Sequence, residues 1–262
     1  MYLPNLESAT PEDWTQQADP DRPIVGLLFY RAHLLSGNTG FVDALLEALN
    51  DAGVNGLAVY TSSLKALENG VPAALTLMQG RVDAVISTLS FALGEVNSGD
   101  VTQPGQNVST LSALGVPVVQ AVASGMSRGA WALSSRGLSP LDTAMNVAIP
   151  EFDGRIVSVP VSFKENTGSG TVYVPDLERM TRVAGIAARQ AALRHTANRD
   201  KRIAFVLTNS GAKAASAGNA VGLDAPASLL NLLRAMRGRG YALTDLLAQS
   251  DTLIHDLLSR GS

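Results

Sequence analysis

Arg31 and His33 stand two positions apart, just past the apolar run Ile24–Tyr30. A planar guanidinium grips carboxylates through its fork, so Arg31 reads as a carboxylate clamp or as half of a structural ion pair. His33 reads as a base or metal ligand, or as a loop histidine bonded to backbone. The other histidines, His195 and His255, fall late in helical stretches and read as polar helix ends. Glu151 lies between Pro150 and Phe152. A carboxylate so flanked can be partly desolvated and accept a proton; the alternative is a turn carboxylate in solvent. Asp153-Gly154 reads as turn chemistry for the next connection. Gly37-Asn38-Thr39-Gly40 opens a helix, where backbone N–H groups can hold an anion. Three histidines so far apart in sequence do not predict a tight structural metal site.

Composition narrows the classes. The chain has 262 residues, 46% hydrophobic and 16% charged, with a net charge of -3 and no cysteine. That balance excludes disorder over most of the chain and gives no broad basic face for nucleic acid. Without cysteine there are no disulfides, thiolate metal sites or Cys nucleophiles. The start, Met1-Tyr2-Leu3-Pro4, has no secretory pattern, and the apolar runs are too short to span a bilayer. A cytoplasmic location is expected. No G-x-x-x-x-G-K-[ST], H-E-x-x-H or G-x-S-x-G is present, so ATP hydrolysis is not expected in this segment.

The elements that must position these residues follow from periodicity. Residues 1–22 carry three prolines and read as a lead-in segment outside the core. Ile24–Tyr30 suits a strand buried on both faces. Phe41, Leu45, Leu46 and Leu49 recur at helical spacing before a stop at Asp51-Ala52-Gly53. Leu57–Tyr60 and Val82–Ser87 predict further strands, with a broadly helical stretch at Leu64–Met78 between them. Residues 94–110 read as a long, functional loop. Strands are predicted at Val116–Val122 and, more edge-like, at Ile156–Val161. Between them lies a helix over 139–149, opened by Ser139-Pro140. A long helix covers 175–196.

The alternation predicts an α/β domain over 23–198 with a doubly wound, mostly parallel sheet of Rossmann or flavodoxin-like type. Lys201–Leu207 then predicts a fresh buried strand, with a loop over 208–224, a helix over 226–239 and a last amphipathic helix near Leu246–Leu257. Residues 199–262 thus read as the opening βα unit of a second, truncated α/β domain. One strand and two helices cannot bury a sheet of their own. The chain is therefore expected to be a piece of a longer protein, or this unit docks on the first sheet. Ligands in such sheets bind beyond the carboxyl ends of the strands, which selects the loops after each strand.

Four ordered motifs go further. Val25–His33 followed by Gly37-Asn38-Thr39, Gln79–Ser87, Ala148–Gly154, and Gly218–Asp224 with Pro226-Ala227-Ser228 resemble the CobN/magnesium-chelatase H family. The last is most similar to its cobalt branch, although Ala214-Ala215-Ser216-Ala217 departs from the bulkier residues expected there. The resemblance implies an internal piece of the large subunit of a metal chelatase that inserts cobalt(II) into hydrogenobyrinic acid a,c-diamide in cobalamin biosynthesis. Cobalt is then a substrate. ATP is hydrolysed by AAA+ partner subunits, and the segment alone is inactive. It further implies Arg31 and Arg128 on peripheral carboxylates, Asn38, Thr39, Asn219 and Asp224 on the macrocycle, His33 as a transient cobalt ligand and Glu151 as the base. The alternatives are a magnesium chelatase subunit acting on protoporphyrin IX and a non-catalytic α/β binding or assembly module.

Overall fold

The computed structural model describes residues 1–6, 9–63, 67–68, 71–90, 110–168, 170–207, 219–220 and 223–243, with single helical positions at 252, 253 and 259. Contacts divide the chain into two units, Met1–Arg194 and His195–Ser262.

In the first unit the strands are β1 (Ile24–Tyr30), β2 (Asn55–Thr61), the short β3 (Leu67–Glu68) and β4 (Val71–Pro72), then β5 (Ala84–Ser87), β6 (Val118–Ser124), β7 (Ile156–Thr167) and β8 (Gly170–Pro175). The helices are α1 (Pro11–Gln17), α2 (Arg31–Leu35), α3 (Gly40–Asp51), α4 (Ala73–Thr76), α5 (Arg128–Leu133), α6 (Pro140–Thr143), α7 (Ile149–Glu151) and α8 (Leu177–His195). Six strands form one sheet in the order β2-β1-β5-β6-β7-β8. All neighbours are parallel except the hairpin β7–β8. This is the expected α/β, mostly parallel architecture.

Strand alternation divides the core in two. Val25, Leu27 and Phe29 of β1 face α3 and α8, where Phe41, Leu45, Met180 and Val183 are fully buried. Leu28 faces the other way, onto Trp14, Leu75, Met78 and Leu114. Gly26 shares that second face. A Cβ there would come within 2.9 Å of the Met78 sulfur, so glycine lets Met78 lie against the strand.

Several elements differ from expectation. The lead-in is part of the core. Tyr2 bridges antiparallel to Ala58 on the outer edge of β2 and is buried with Leu3 and Trp14. The Trp14 indole donates to the Gly56 carbonyl at 2.8 Å. An edge strand leaves unpaired backbone groups, and this segment covers them. The helical stretch expected at Leu64–Met78 is, in its described part, the antiparallel pair β3 and β4 followed by the four-residue α4. Residues 64–66 and 69–70 lie outside the described residues.

The strand at Ile156 is not an edge. β7 runs for 12 residues between β6 and β8, and register shifts opposite Gln120–Ala123 accommodate Pro160. The helix expected over 139–149 contains a π turn at Ala144–Ala148. Proline inside an α-helix collides with the carbonyl four residues back, and the wider turn makes room for Pro150.

In the second unit Lys201–Leu207 forms no strand. Ile203, Phe205 and Val206 are 49%, 40% and 88% exposed. β9 (Asn219–Ala220) and β10 (Leu223–Asp224) make a short antiparallel pair ahead of α9 (Ala225–Gly238). The loop at 94–109, most of 208–222 and the helix near 246–257 fall mainly outside the described residues.

Candidate functional site at the carboxyl ends of β1, β5 and β6

The chain leaves β1 toward β2 on one side and later returns to β5 on the other. The strand order therefore reverses between β1 and β5, where open α/β sheets hold their ligands. The register shapes that point. Leu28, Ser87 and Gln120 lie level across β1, β5 and β6. β5 ends there, while β1 continues for two residues and β6 for four. At 3.3 Å per residue the flanking strands rise about 7 and about 13 Å above the end of β5. The result is a step with β5 as its floor.

The residues leaving that floor, Thr88–Ser90, are tied on every side. The Thr88 N–H and hydroxyl donate to the Leu28 carbonyl at 2.9 and 3.1 Å. The Leu89 carbonyl accepts from Gln120 Nε2 at 3.0 Å and from Arg155 Nη1 at 2.8 Å. Arg155 also donates to Gln120 Oε1 at 2.8 Å and, through Nη2, to Asp153 at 2.7 Å. The Arg155 and Asp153 side chains are 0% and 2% exposed. Burial pulls the Arg155 pKa down, and the bond to Asp153 opposes that shift. The Tyr30 hydroxyl donates to the Ser90 carbonyl at 2.9 Å, and burial pushes its pKa up.

The Ser90 hydroxyl donates to Asn146 Oδ1 at 2.6 Å. Asn146 in turn donates to the buried Asp142, which also accepts from the Ser124 hydroxyl and the Gly125 N–H. The π turn carries Asn146 into this bridge.

The loop leaving β1 forms one wall. Arg31 opens α2 and is exposed. His33 packs edge-on against Phe41 and Tyr173, with ring centroids at 4.9 and 5.2 Å. Burial lowers its pKa and keeps the imidazole neutral near pH 7. Asn38 accepts the Tyr173 N–H at 3.0 Å and donates to the Thr171 carbonyl at 3.5 Å. The sheet thus curls until β8, its far edge, meets the β1 exit. Thr39 precedes α3, and its carbonyl accepts from Val42 and Asp43.

Arg128 follows β6. Its Nε donates to Asp176 at 2.8 Å, and its guanidinium lies 5.1 Å from the Trp131 ring, which Arg179 also approaches at 4.3 Å. Its expected role on a substrate carboxylate therefore competes with an ion pair already made.

Glu151 comes from the approach to β7 and not from a loop that follows a strand. It ends the helical segment running back from the top of β6 and lies five residues before Ile156, which pairs with Val119 near the start of β6. Its side chain is exposed, so the desolvation expected of it is absent. Pro150 takes the buried position instead, and Asp153, expected to serve only the turn, holds Arg155. Asn219 and Asp224 belong to the second unit. Asp224 caps α9 by accepting the Ala227 N–H at 2.9 Å.

Sequence reasoning missed Arg155, Gln120, Asn146 and Asp142. The available signal was a glutamine inside the apolar run Val118–Val122 and an arginine placed directly before a strand. Among the described residues no group of three or more His, Asp or Glu is placed to hold a metal, and no helix is long and apolar enough to cross a membrane. A cavity of about 730 Å³ lies at the opposite, amino end of β1, beside Trp14, Ile24 and Arg81. It includes none of the expected site residues. That cavity is an open surface hollow, away from the converging polar groups.

Comparison with known proteins agrees with this architecture. The CobN/Magnesium Chelatase family matches residues 2–262. The aerobic cobaltochelatase subunit CobN of Pseudomonas aeruginosa is 39% identical over 98% of this chain and 21% of its own length. The H subunit of magnesium chelatase from Rhodobacter capsulatus is 27% identical over 94% of the chain and 22% of its own length. The solved catalytic subunit of cobaltochelatase from Mycobacterium tuberculosis is 43% identical, with a TM-score of 0.76 over 91% of this chain and 20% of that one. The chain spans about a fifth of the length of these relatives. By sequence and by fold, the chain belongs to the CobN/magnesium chelatase family.

Proposed function

We propose that this chain works within the large, macrocycle-holding subunit of an ATP-dependent cobaltochelatase that inserts cobalt(II) into hydrogenobyrinic acid a,c-diamide. ATP hydrolysis falls to AAA+ partner subunits. The observation that carries the reading is the difference in identity: 39% to a cobaltochelatase subunit against 27% to a magnesium-chelatase subunit, over nearly the same span.

Metal insertion asks for a held macrocycle and a lone pair that receives the metal as it sheds water. A ring bearing carboxylate and amide arms calls for a guanidinium fork, and exposed Arg31 at the β1 exit offers one. His33 keeps its imidazole neutral, the form that coordinates cobalt. Both stand on one wall of the step above β5. The ring N–H proton that cobalt displaces needs an acceptor, and the exposed carboxylate of Glu151 is the base assigned to it.

The test uses the full-length protein with its chelatase partners. Cobalt insertion into hydrogenobyrinic acid a,c-diamide and magnesium insertion into protoporphyrin IX are followed by absorbance. Cobalt insertion alone is expected. His33→Ala is expected to lower its kcat about a hundredfold while macrocycle binding persists. Magnesium insertion alone would move the protein to the other branch, and an unaltered rate in His33→Ala would remove the imidazole from the chemistry.

A further inference from the structure

We infer that Arg155 is a positioning residue: with Asp153 and Gln120 it fixes the Thr88–Ser90 strap as the rigid floor on which the macrocycle rests. This rests on the proposed chelatase reading and deepens it.

The energetics argue for placement over stability. A buried ion pair seldom stabilises more than apolar residues of the same volume, because both charges lose their water. Arg155 and Asp153 are nonetheless enclosed, two residues apart across the turn at Gly154. From the start of β7 the guanidinium reaches past β6 to the Leu89 carbonyl, 66 residues away in sequence. On the other side Asn146 takes the Ser90 hydroxyl. A planar fork bonded to Leu89, Gln120, Ser87 and Asp153 at once has essentially one position, and so has whatever it holds. The held segment is the floor between the two rising strands, where a flat ligand entering the step makes its first contact. None of the sequence-predicted substrate groups lies on the strap, so its effect passes through shape.

The experiment uses the full-length protein with its partners, cobalt(II) and hydrogenobyrinic acid a,c-diamide. Arg155→Lys keeps the charge and loses the fork. Hydrogen exchange at the Thr88 and Leu89 amides is expected to accelerate about tenfold, with KM for the macrocycle up about tenfold and kcat within about threefold. Ser90→Ala cuts only the tie to Asn146 and is expected to raise KM about threefold; it decides the matter if Arg155→Lys loses its cooperative melt. A merely structural role would lower the melting temperature and leave KM alone, which overturns the inference. So would faster exchange with unchanged KM, or a fall in kcat at constant KM. If the wild type neither binds the macrocycle nor inserts cobalt, the chelatase reading fails and takes this inference with it. The exchange data still report whether Arg155 holds the strap.

Discussion

β1 and the run Ile203–Leu207 carry nearly the same signal, a short unbroken series of apolar side chains. Their outcomes are opposite. β1 has β2 on one side and β5 on the other, helices over both faces, and five of its seven residues buried. Ile203–Leu207 pairs with no strand among the described residues and leaves Val206 88% exposed. Neighbouring Lys201 finds local partners instead, Asn198 at 3.0 Å and the Tyr241 ring at 5.9 Å. An apolar run specifies that a segment would gain from burial. It does not supply the backbone partners that a parallel strand needs on both edges.

The contrast is easiest to break at the two phenylalanines. Phe29 is wholly buried and makes edge contacts with Tyr2 and Tyr60 at 5.6 and 6.2 Å. Phe29→Ala should cost about 3–5 kcal/mol in urea unfolding, from lost transfer energy and the cavity left behind. Phe205 is 40% exposed, and Phe205→Ala should stay within about 0.5 kcal/mol. Equal costs would mean that the second run is buried in solution and would erase the distinction.

A smaller effect separates the same two segments by the opposite change, adding side-chain bulk. Gly26→Ala puts a Cβ at 2.9 Å from Met78 Sδ and 3.2 Å from Val85 Cγ2, and should destabilise by about 1–3 kcal/mol. In a Met78→Ala background the collision with Met78 is gone. The substitution should there cost less, with the 3.2 Å approach to Val85 Cγ2 remaining and the restriction of the unfolded chain by alanine partly offsetting it. Ala204 is exposed, and Ala204→Val should change stability by no more than about 0.5 kcal/mol. A Gly26→Ala cost that persists undiminished without Met78 would place its origin at Val85 or in the backbone and not in the Met78 collision.

The sequence made the alternation of the first unit legible because its signals are local. The run at Ile24–Tyr30, the spacing of Phe41, Leu45 and Leu49, and the helix opening at Ser139-Pro140 each need only a few neighbours to be read. The position of Arg31 and His33 just after a strand followed from the same local signal. What stayed hidden depends on distant partners. Asp153-Gly154 has the composition of a solvent turn, yet the Asp153 carboxylate is enclosed against Arg155, whose guanidinium is held in turn by Gln120 and Ser87 from distant parts of the chain. Trp14 looks like part of a polar leader until β2 offers the Gly56 carbonyl. The hairpin of β8 is short and half-exposed, and it becomes visible as a wall only when the sheet curls and Asn38 meets Tyr173.

The smallest expected effect uses pH. The run Ile203–Leu207 contains no titratable side chain, whereas burial around β1 has drawn His33 partly out of water. Its pKa is lowered in the fold, so between the folded and unfolded values the unfolded chain binds more protons. Stability must then rise with pH across that window. The contribution is complete above about pH 6.5, the unfolded value, and is lost as pH falls through the folded one. Urea unfolding at pH 7.5, 6.5 and 5.5 should show the wild type losing more stability on acidification than His33→Gln, which keeps a polar side chain and does not titrate there. Parallel losses in the two proteins would mean that the imidazole is as well hydrated in the fold as in the unfolded chain. The role proposed for a neutral His33 would then lose its physical basis, because the burial that favours the free lone pair is the same burial that produces the pH dependence.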